Sequence, residues 1–447
     1  MRNASLLTTV VLAAALTAQL SFAADPGMVR LAGTPEQIGT IWGEINKEII
    51  VRDVATAFVK RAAEAGISRE TLLERSAVSV RIIEEVAPHW IEEARATARA
   101  AGVDEDLYIA YWDGVIRNRF LGEDPEECTS YAVSREHARD GAILFHKTRD
   151  NRDAPQGAFL VESSLEGINK FIAVTNATGI HAFSMMVNDK GLAGSGDYPA
   201  NRKKDSSALH LEPAPKKFRG IMGATILRHI AERASTCADA LAIIEDFVAK
   251  GWYSGGTVGG NHWLFVDREG TILEVCNNPG HVASKVHTQK AYFSRLNKGP
   301  AAGRLRESAE PVDFNLFRSV SRDPSICFGS SISGMTVEID PDDPARFTCA
   351  WIALPVRSVA FPLLMGQSRT PACLVDGTVY ELGKKSPRQI ERWEKLEESM
   401  HAEKERLKEE LAASIEAGNP EAAHVEMMEQ WSEAQAQKLL KALREGE

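Results

Sequence analysis

Cys128 opens the run Cys128-Thr129-Ser130-Tyr131-Ala132-Val133, directly after the acidic, turn-rich stretch Gly122-Glu123-Asp124-Pro125-Glu126-Glu127. A lone cysteine is most often a small buried hydrophobe. Here it is followed by a hairpin turn at Asp140-Gly141, an apolar strand Ala142-Ile143-Leu144-Phe145 and a carboxylate, Asp150, at the far end. The whole run, rather than the cysteine alone, points to a thiol nucleophile. Other chemistries lack their residues. There is no Cys-x-x-Cys or His-Glu-x-x-His spacing, so no zinc site is expected. The Gly-rich stretch at 255–260 lacks the Lys-Ser/Thr of a phosphate loop, Gly194-Ser195-Gly196 lacks the third glycine of a dinucleotide fingerprint, and no Gly-x-Ser-x-Gly elbow occurs. Neither a cofactor nor a metal is expected.

The elements that must position Cys128 read as follows. Arg2, the apolar run at 6–20 and the small-residue pattern Ser21-Phe22-Ala23 predict a signal peptide over residues 1–23, and hence a secreted or periplasmic protein with no membrane segment after processing. Residues 24–127 read as a helical segment. Thr34-Pro35-Glu36-Gln37 is a capping box with proline at the first helical position, and Gly66-Ile67-Ser68 ends one helix and caps the next. A further helix is expected over 105–119. Residues 128–384 alternate strands, helices and strands, the pattern of an α+β layered domain. Strands are expected at 128–133, 142–145, 159–161, 170–175, 180–187, 192–194, 263–267, 271–276, 334–339 and 347–354, with helix over 220–250. Residues 385–447 read as a helical hairpin broken at Gly418-Asn419-Pro420. Its apolar positions are Trp393, Met400, Leu407 and Leu411, then Met427, Trp431, Leu439 and Leu443, and it suits packing or homo-oligomer formation.

The chain has 447 residues, 44% of them hydrophobic, enough for a large buried core and outside the range of disordered or fibrous chains. With 52 Lys and Arg against 62 Asp and Glu, the formal net charge is −10, which argues against a nucleic-acid partner. Six cysteines are too few to staple so long a chain. Cys276, Cys327, Cys349 and Cys373 can pair after export, in any of three connectivities.

The run ECTSYAVSREHARDGAILFHKTRDN resembles the nucleophile hairpin of the acyl-CoA:6-aminopenicillanic-acid acyltransferase family, relatives of choloylglycine hydrolases in the N-terminal-nucleophile (Ntn) superfamily. Further similar pieces follow in order: ATARAAGVDEDLYIAYWD upstream, then FSMMVNDKGLAGSGDYP, ILRHIAERASTCADALAII and GGNHWLFVDREGTILEVC. The resemblance spans residues 30–366. It implies a four-layer αββα sandwich and a precursor that cuts itself between Glu127 and Cys128. A thiol on the residue after a strained peptide can attack the preceding carbonyl, and water resolves the thioester. The liberated α-amine, with an ordinary pKa of about 7.7 to 8.0, then serves as base for its own thiol.

By the same resemblance, Asp150 orients that amine, and Lys147 stands where relatives have Arg or Gln, able to lower the thiol pKa or touch substrate. The oxyanion needs a backbone N–H and an amide donor. Three asparagines compete for that place. Asn277, in Cys276-Asn277-Asn278-Pro279, resembles the choloylglycine-hydrolase run, Asn297 matches the acyltransferase pattern, and Asn261 is a third choice. Asp197 falls where choloylglycine relatives carry Asn, which puts a negative charge at an acyl pocket and argues against bile salts. His137, His146 and His262 read as structural, since the terminal amine makes an imidazole base unnecessary. The expected substrate is a small amide or short peptide. RFTCAWIALPVRSVAFPLLMG also resembles the dipeptidase branch of the superfamily. A dipeptidase is therefore one rival reading and a non-catalytic binding protein on this fold is another.

Overall fold

The computed structural model describes residues 27–112, 128–197, 209, 211–212, 214, 219–255 and 259–445. The predicted signal peptide, Glu127 and the second half of the helix expected over 105–119 lie outside the described residues.

The helical segment begins as its sequence dictates. The Gln37 backbone N–H donates to Thr34 Oγ1 at 3.3 Å and the Thr34 N–H to the Gln37 side chain at 2.9 Å, closing the capping box. The longer helices are α1 (Pro35–Ile45), α2 (Arg69–Val86), α3 (Pro88–Ala101), α4 (Glu105–Trp112), α5 (Gly223–Arg233), α6 (Cys237–Ala249), α7 (Ile390–Glu416) and α8 (Glu421–Arg444). Between α1 and α2 the chain stays helical and widens to π geometry over Val51–Phe58. α1 and α3 touch backbone to backbone: a Cβ on Gly39 would lie 2.1 Å from the Glu93 carbonyl oxygen, and one on Gly43 2.4 Å from that of Thr97. No described helix is long and apolar enough to cross a membrane.

The strands in chain order are β1 (Met28–Val29), β2 (Leu31–Gly33), β3 (Cys128–Val133), β4 (Ile143–Asp150), β5 (Gln156–Ser163), β6 (Phe171–Asn176), β7 (Met185–Asn188), β8 (Ala193–Asp197), β9 (Asn261–Val266), β10 (Ile272–Asn277), β11 (Val282–His287), β12 (Ala291–Phe293), β13 (Ser331–Ile339), β14 (Cys349–Ala353), β15 (Ala360–Leu364) and β16 (Thr370–Pro371). A larger sheet runs β11-β10-β9-β8-β7-β6-β5-β2 and a smaller one β12-β3-β4-β13-β14-β15, while β1 pairs with β16. All pairings are antiparallel except that of β2 with β5.

Strand alternation sends the side chains of the larger sheet into two cores. Phe159, Phe171, Ala173, Trp263 and Phe265 pack with Trp42, Trp90, Ile226 and Ile230 of the helices. Leu160, Ile172, Val174, Leu264 and Val266 join Phe145, Met335, Val337 and Ile352 of the smaller sheet. Trp393, Met400, Leu407, Leu411, Leu439 and Leu443 of the α7–α8 hairpin, six of the eight apolar positions read from sequence, are buried in that second core. The protein is thus a mixed helix-and-sheet molecule in which the two sheets share a core.

Several boundaries differ from the sequence reading. The expected strand at 180–187 begins only at Met185, because the preceding carbonyls are satisfied by side chains instead of a ladder. Arg228 Nη1 donates to Ile180 O at 3.3 Å, and Thr175 Oγ1 donates to Ala182 O at 2.7 Å. The strand expected at 347–354 begins at Cys349, since Pro344–Phe347 makes a short helical turn. The helical region expected over 220–250 consists of α5 and α6, the second started by the capping box of Thr236 with Asp239. β11, β12, β15 and β16 were not expected, nor were β1 and β2, which fall at the start of the segment expected to be helical. No disulfide joins any of the six cysteines.

Candidate active site

Cys128 is the first residue of β3, an interior strand between β12 and β4, and its thiol is buried. Cys128 pairs with Arg149 and Ser130 with Lys147 in the β3–β4 register. Alternation puts all four side chains on the face toward the larger sheet. There Ser130 Oγ lies 2.7 Å from Ser195 Oγ and donates to Asp197 Oδ1 at 3.0 Å. Lys147 Nζ forms an ion pair with Asp197 and donates to the Gly196 carbonyl at 3.1 Å. Cys128 therefore sits beside a buried ammonium–carboxylate pair that bridges the two sheets.

These charges act on the thiol in opposite directions. Burial raises the Cys128 pKa, the Lys147 ammonium lowers it, and Asp197 and Asp150 raise it again, so the net direction is upward. Burial also opposes the charged form of Lys147, but Asp197 and Cys128 outweigh it, so that its pKa rises and it stays protonated. Asp150 closes β4, and Ser331 Oγ on β13 donates to its Oδ1 at 2.5 Å.

A cavity of about 320 Å³ opens over this point, lined by Cys128, Asp150, Gly196, Asn176, Thr225 and Asn261 among others. The π-helical stretch contributes Asp53 and Ala57, and the irregular segment before β7 contributes Thr178, Gly179, His181 and Phe183. His181 stacks on Trp112 at 4.5 Å between ring centroids. Lys147 and Asp197, expected at the substrate, face each other instead and are absent from the cavity's described lining. Because Asp197 carries Lys147, the negative charge anticipated at an acyl pocket is compensated.

The three asparagines separate. Asn261 lines the cavity and its Oδ1 accepts from Tyr253 Oη at 2.8 Å. Asn277 is its direct partner across β9 and β10 but is itself absent from the cavity's described lining, and its Oδ1 accepts from Trp263 Nε1 at 2.7 Å. Its buried Nδ2 has no hydrogen-bond partner among the described residues. Asn297 lies after β12, where its Oδ1 accepts from the Phe293 N–H at 3.2 Å and from Arg306, outside the cavity lining. That contact set is a loop clamp and does not bring Asn297 to the thiol.

The histidines also separate. His146 bonds Thr336 Oγ1 at 2.7 Å and Thr148 Oγ1 at 2.9 Å, and burial first, then Lys147 and Arg322, lowers its pKa to about 3. It is neutral at working pH and locked as structure. His137 caps a turn through Ser134 at 2.7 Å. His262 lies on the face of β9 that carries the Asp197 partner position.

Sequence reasoning missed Ser130, Ser195, Ser331 and the cluster in which Arg149 Nη1 donates to Asn176 Oδ1 at 2.8 Å and to Gln156 Oε1 at 3.1 Å. For Ser130 a signal existed, since residue i+2 of a strand shares the face of residue i. Ser331 gave none, because its role depends on the β4–β13 pairing.

No family model matches this chain, and no curated protein matches it. Among solved structures, penicillin V acylase from Agrobacterium tumefaciens is similar at 12% identity over 53% of this chain and 86% of that one, with a TM-score of 0.36. A variant of conjugated bile acid hydrolase from Clostridium perfringens is similar at 10% identity over 53% of this chain and 92% of that one, with a TM-score of 0.32. A second variant of the same hydrolase gives 10% identity, the same coverages and a TM-score of 0.31.

Proposed function

We propose that the protein is an exported cysteine Ntn amidohydrolase on a four-layer αββα scaffold, of the acyltransferase-like branch, which frees its nucleophile by cutting between Glu127 and Cys128. The observation that carries this reading is the position of Cys128. It opens an interior strand at a cavity, with the buried Lys147–Asp197 ion pair and the Asp150 carboxylate beside it. In the cut form the α-amine of Cys128 takes the thiol proton. The thiolate adds to the substrate carbonyl, and the amine returns the proton to the leaving nitrogen. Asp150, held by Ser331, stabilises the ammonium form. Water then resolves the thioester, and hydrolysis is preferred to acyl transfer because water is abundant outside the cell.

The oxyanion donor falls to the Asn261–Asn277 pair. In each, an aromatic donor occupies Oδ1 and so fixes which way the amide NH2 points. Removing an oxyanion donor costs about 10²–10³ in kcat. Asn261→Ala or Asn277→Ala is expected to show that loss, and Asn297→Ala only reduced stability.

Intact mass and amino-terminal sequencing of the purified protein test the scheme directly. A mature chain beginning at Cys128, together with an uncut and inactive Cys128→Ala variant, is the expected result. An uncut, fully active wild type overturns it. A dipeptidase is the second reading. The cavity carries both signs of charge, Arg61, Arg149 and Arg152 against Asp53, Asp150 and Asp153, which suits a zwitterionic short peptide. Faster turnover of dipeptides than of N-acylated amines favours that reading.

A further inference from the structure

On the face of the larger sheet that meets the smaller one, a second group of side chains lies one strand beyond Asp197. His262 on β9 is paired directly with Cys276 on β10, and Glu274, two residues earlier on β10, shares their face. All three are buried, and one ligand atom from each lies within 4.8 Å of the others. His262 Nε2 is 2.9 Å from Glu274 Oε1 and 3.3 Å from the Tyr292 hydroxyl. His287 on β11 holds the other carboxylate oxygen, Nε2 to Oε2, at 2.7 Å and stacks on Tyr292 at 3.9 Å.

We propose that His262, Glu274 and Cys276 bind a zinc ion between the sheets, with the Tyr292 hydroxyl at the fourth corner and His287 orienting Glu274. Four observations carry this. The donors are the nitrogen, oxygen and sulfur types that zinc takes. Tetrahedral zinc, with bonds of about 2.0–2.3 Å, sets neighbouring ligand atoms roughly 3.3–3.7 Å apart. The Tyr292–His262 separation of 3.3 Å already matches, and the Glu274–His262 separation of 2.9 Å must open only slightly. The charges also match: a carboxylate and a thiolate offset a dication beside a neutral imidazole, the condition for burying ions where the dielectric is low. The His287 contact is the hydrogen bond that commonly fixes a metal-bound carboxylate from outside. The site would pin β9 to β10 beside the strand that carries Asp197, and it is independent of whether Cys128 is a nucleophile.

The test uses the untagged full-length protein, purified without chelator. Elemental analysis is expected to find close to one zinc per chain. After stripping, titration with Co²⁺ alone is expected to give intense visible bands and a near-ultraviolet thiolate-to-cobalt band. That band must persist in Cys128→Ala and vanish in Cys276→Ala, and His287→Gln is expected to weaken affinity about 10–100-fold. A protein purified without zinc whose Co²⁺ spectrum stays that of the free ion overturns the proposal. So does a thiolate band lost in Cys128→Ala. The wild type and Cys128→Ala decide the matter even where Cys276→Ala does not fold.

Discussion

At the residue scale, the proposed chemistry depends on a buried ion pair beside the thiol, whose ammonium lowers and whose carboxylate raises the Cys128 pKa. Lys147 and Asp197 are both desolvated, so removing either leaves the other charge buried and uncompensated, at a cost of about 3–5 kcal/mol. Lys147→Met and Asp197→Leu are each expected to lower stability by roughly that amount, and the double variant by less than the sum, as read from denaturant midpoints in a double-mutant cycle. The pH profile should respond with a definite sign. Lys147 lowers the thiol pKa, so Lys147→Met is expected to move the acidic limb of kcat/KM to higher pH. An unmoved limb would show that the ammonium does not act on the nucleophile. The hairpin that joins Cys128, Lys147 and Asp150 was legible from its turn and period, whereas the roles expected of those residues came from the family resemblance. The sequence hid the Lys147–Asp197 and Asp150–Ser331 contacts, which join residues 50 and 181 positions apart and exist only once the strands have paired.

At the scale of elements, Ser331 is the residue through which β13 sets the end of β4. Losing a hydrogen bond to a charged group costs about 1.5–3 kcal/mol, so Ser331→Ala is expected to lower kcat roughly 10–100-fold with KM little changed. A change confined to KM would place Asp150 at substrate binding instead. The helices show the same dependence on close approach. With the Glu93 carbonyl 2.1 Å from where a Cβ would stand, Gly39→Ala is expected to push α1 off α3 and lower the melting temperature. Helix starts were legible because caps are local signals. Weak strands were not. β12 has three residues, β11 is largely exposed, and β15 carries Pro362, which a sheet edge tolerates and a sequence pattern reads as a break.

At the scale of the whole molecule, the α7–α8 hairpin is tied to the smaller sheet by charge as well as by apolar packing. Lys404 Nζ lies 2.7 Å and His401 Nε2 3.1 Å from Glu338 on β13, and Arg322 Nη1 lies 2.9 Å from Glu397. Burial alone would raise the Glu338 pKa, but Lys404 and His401 outweigh it and hold it at about 2. A carboxylate depressed in this way stabilises the fold fully above its ordinary value of 4.5 and loses that contribution as pH falls toward 2. Glu232, held at about 2 against its own burial by Arg228 and His89, adds to the same window on the opposite side of the larger sheet. Stability is therefore expected to be flat above about pH 5 and to decline below it, measured by thermal melts across pH. Glu338→Gln is expected to flatten part of that decline.

The first described strands determine what any scission ahead of Cys128 would release. β1 is stitched to β16, β2 to β5, and helices α1 to α4, which follow β2, cover the larger sheet. A severed amino-terminal piece would stay as a tightly clasped subunit, running as a separate band in detergent yet travelling with the rest through a sizing column, so the protein would live on as a heterodimer made from one gene.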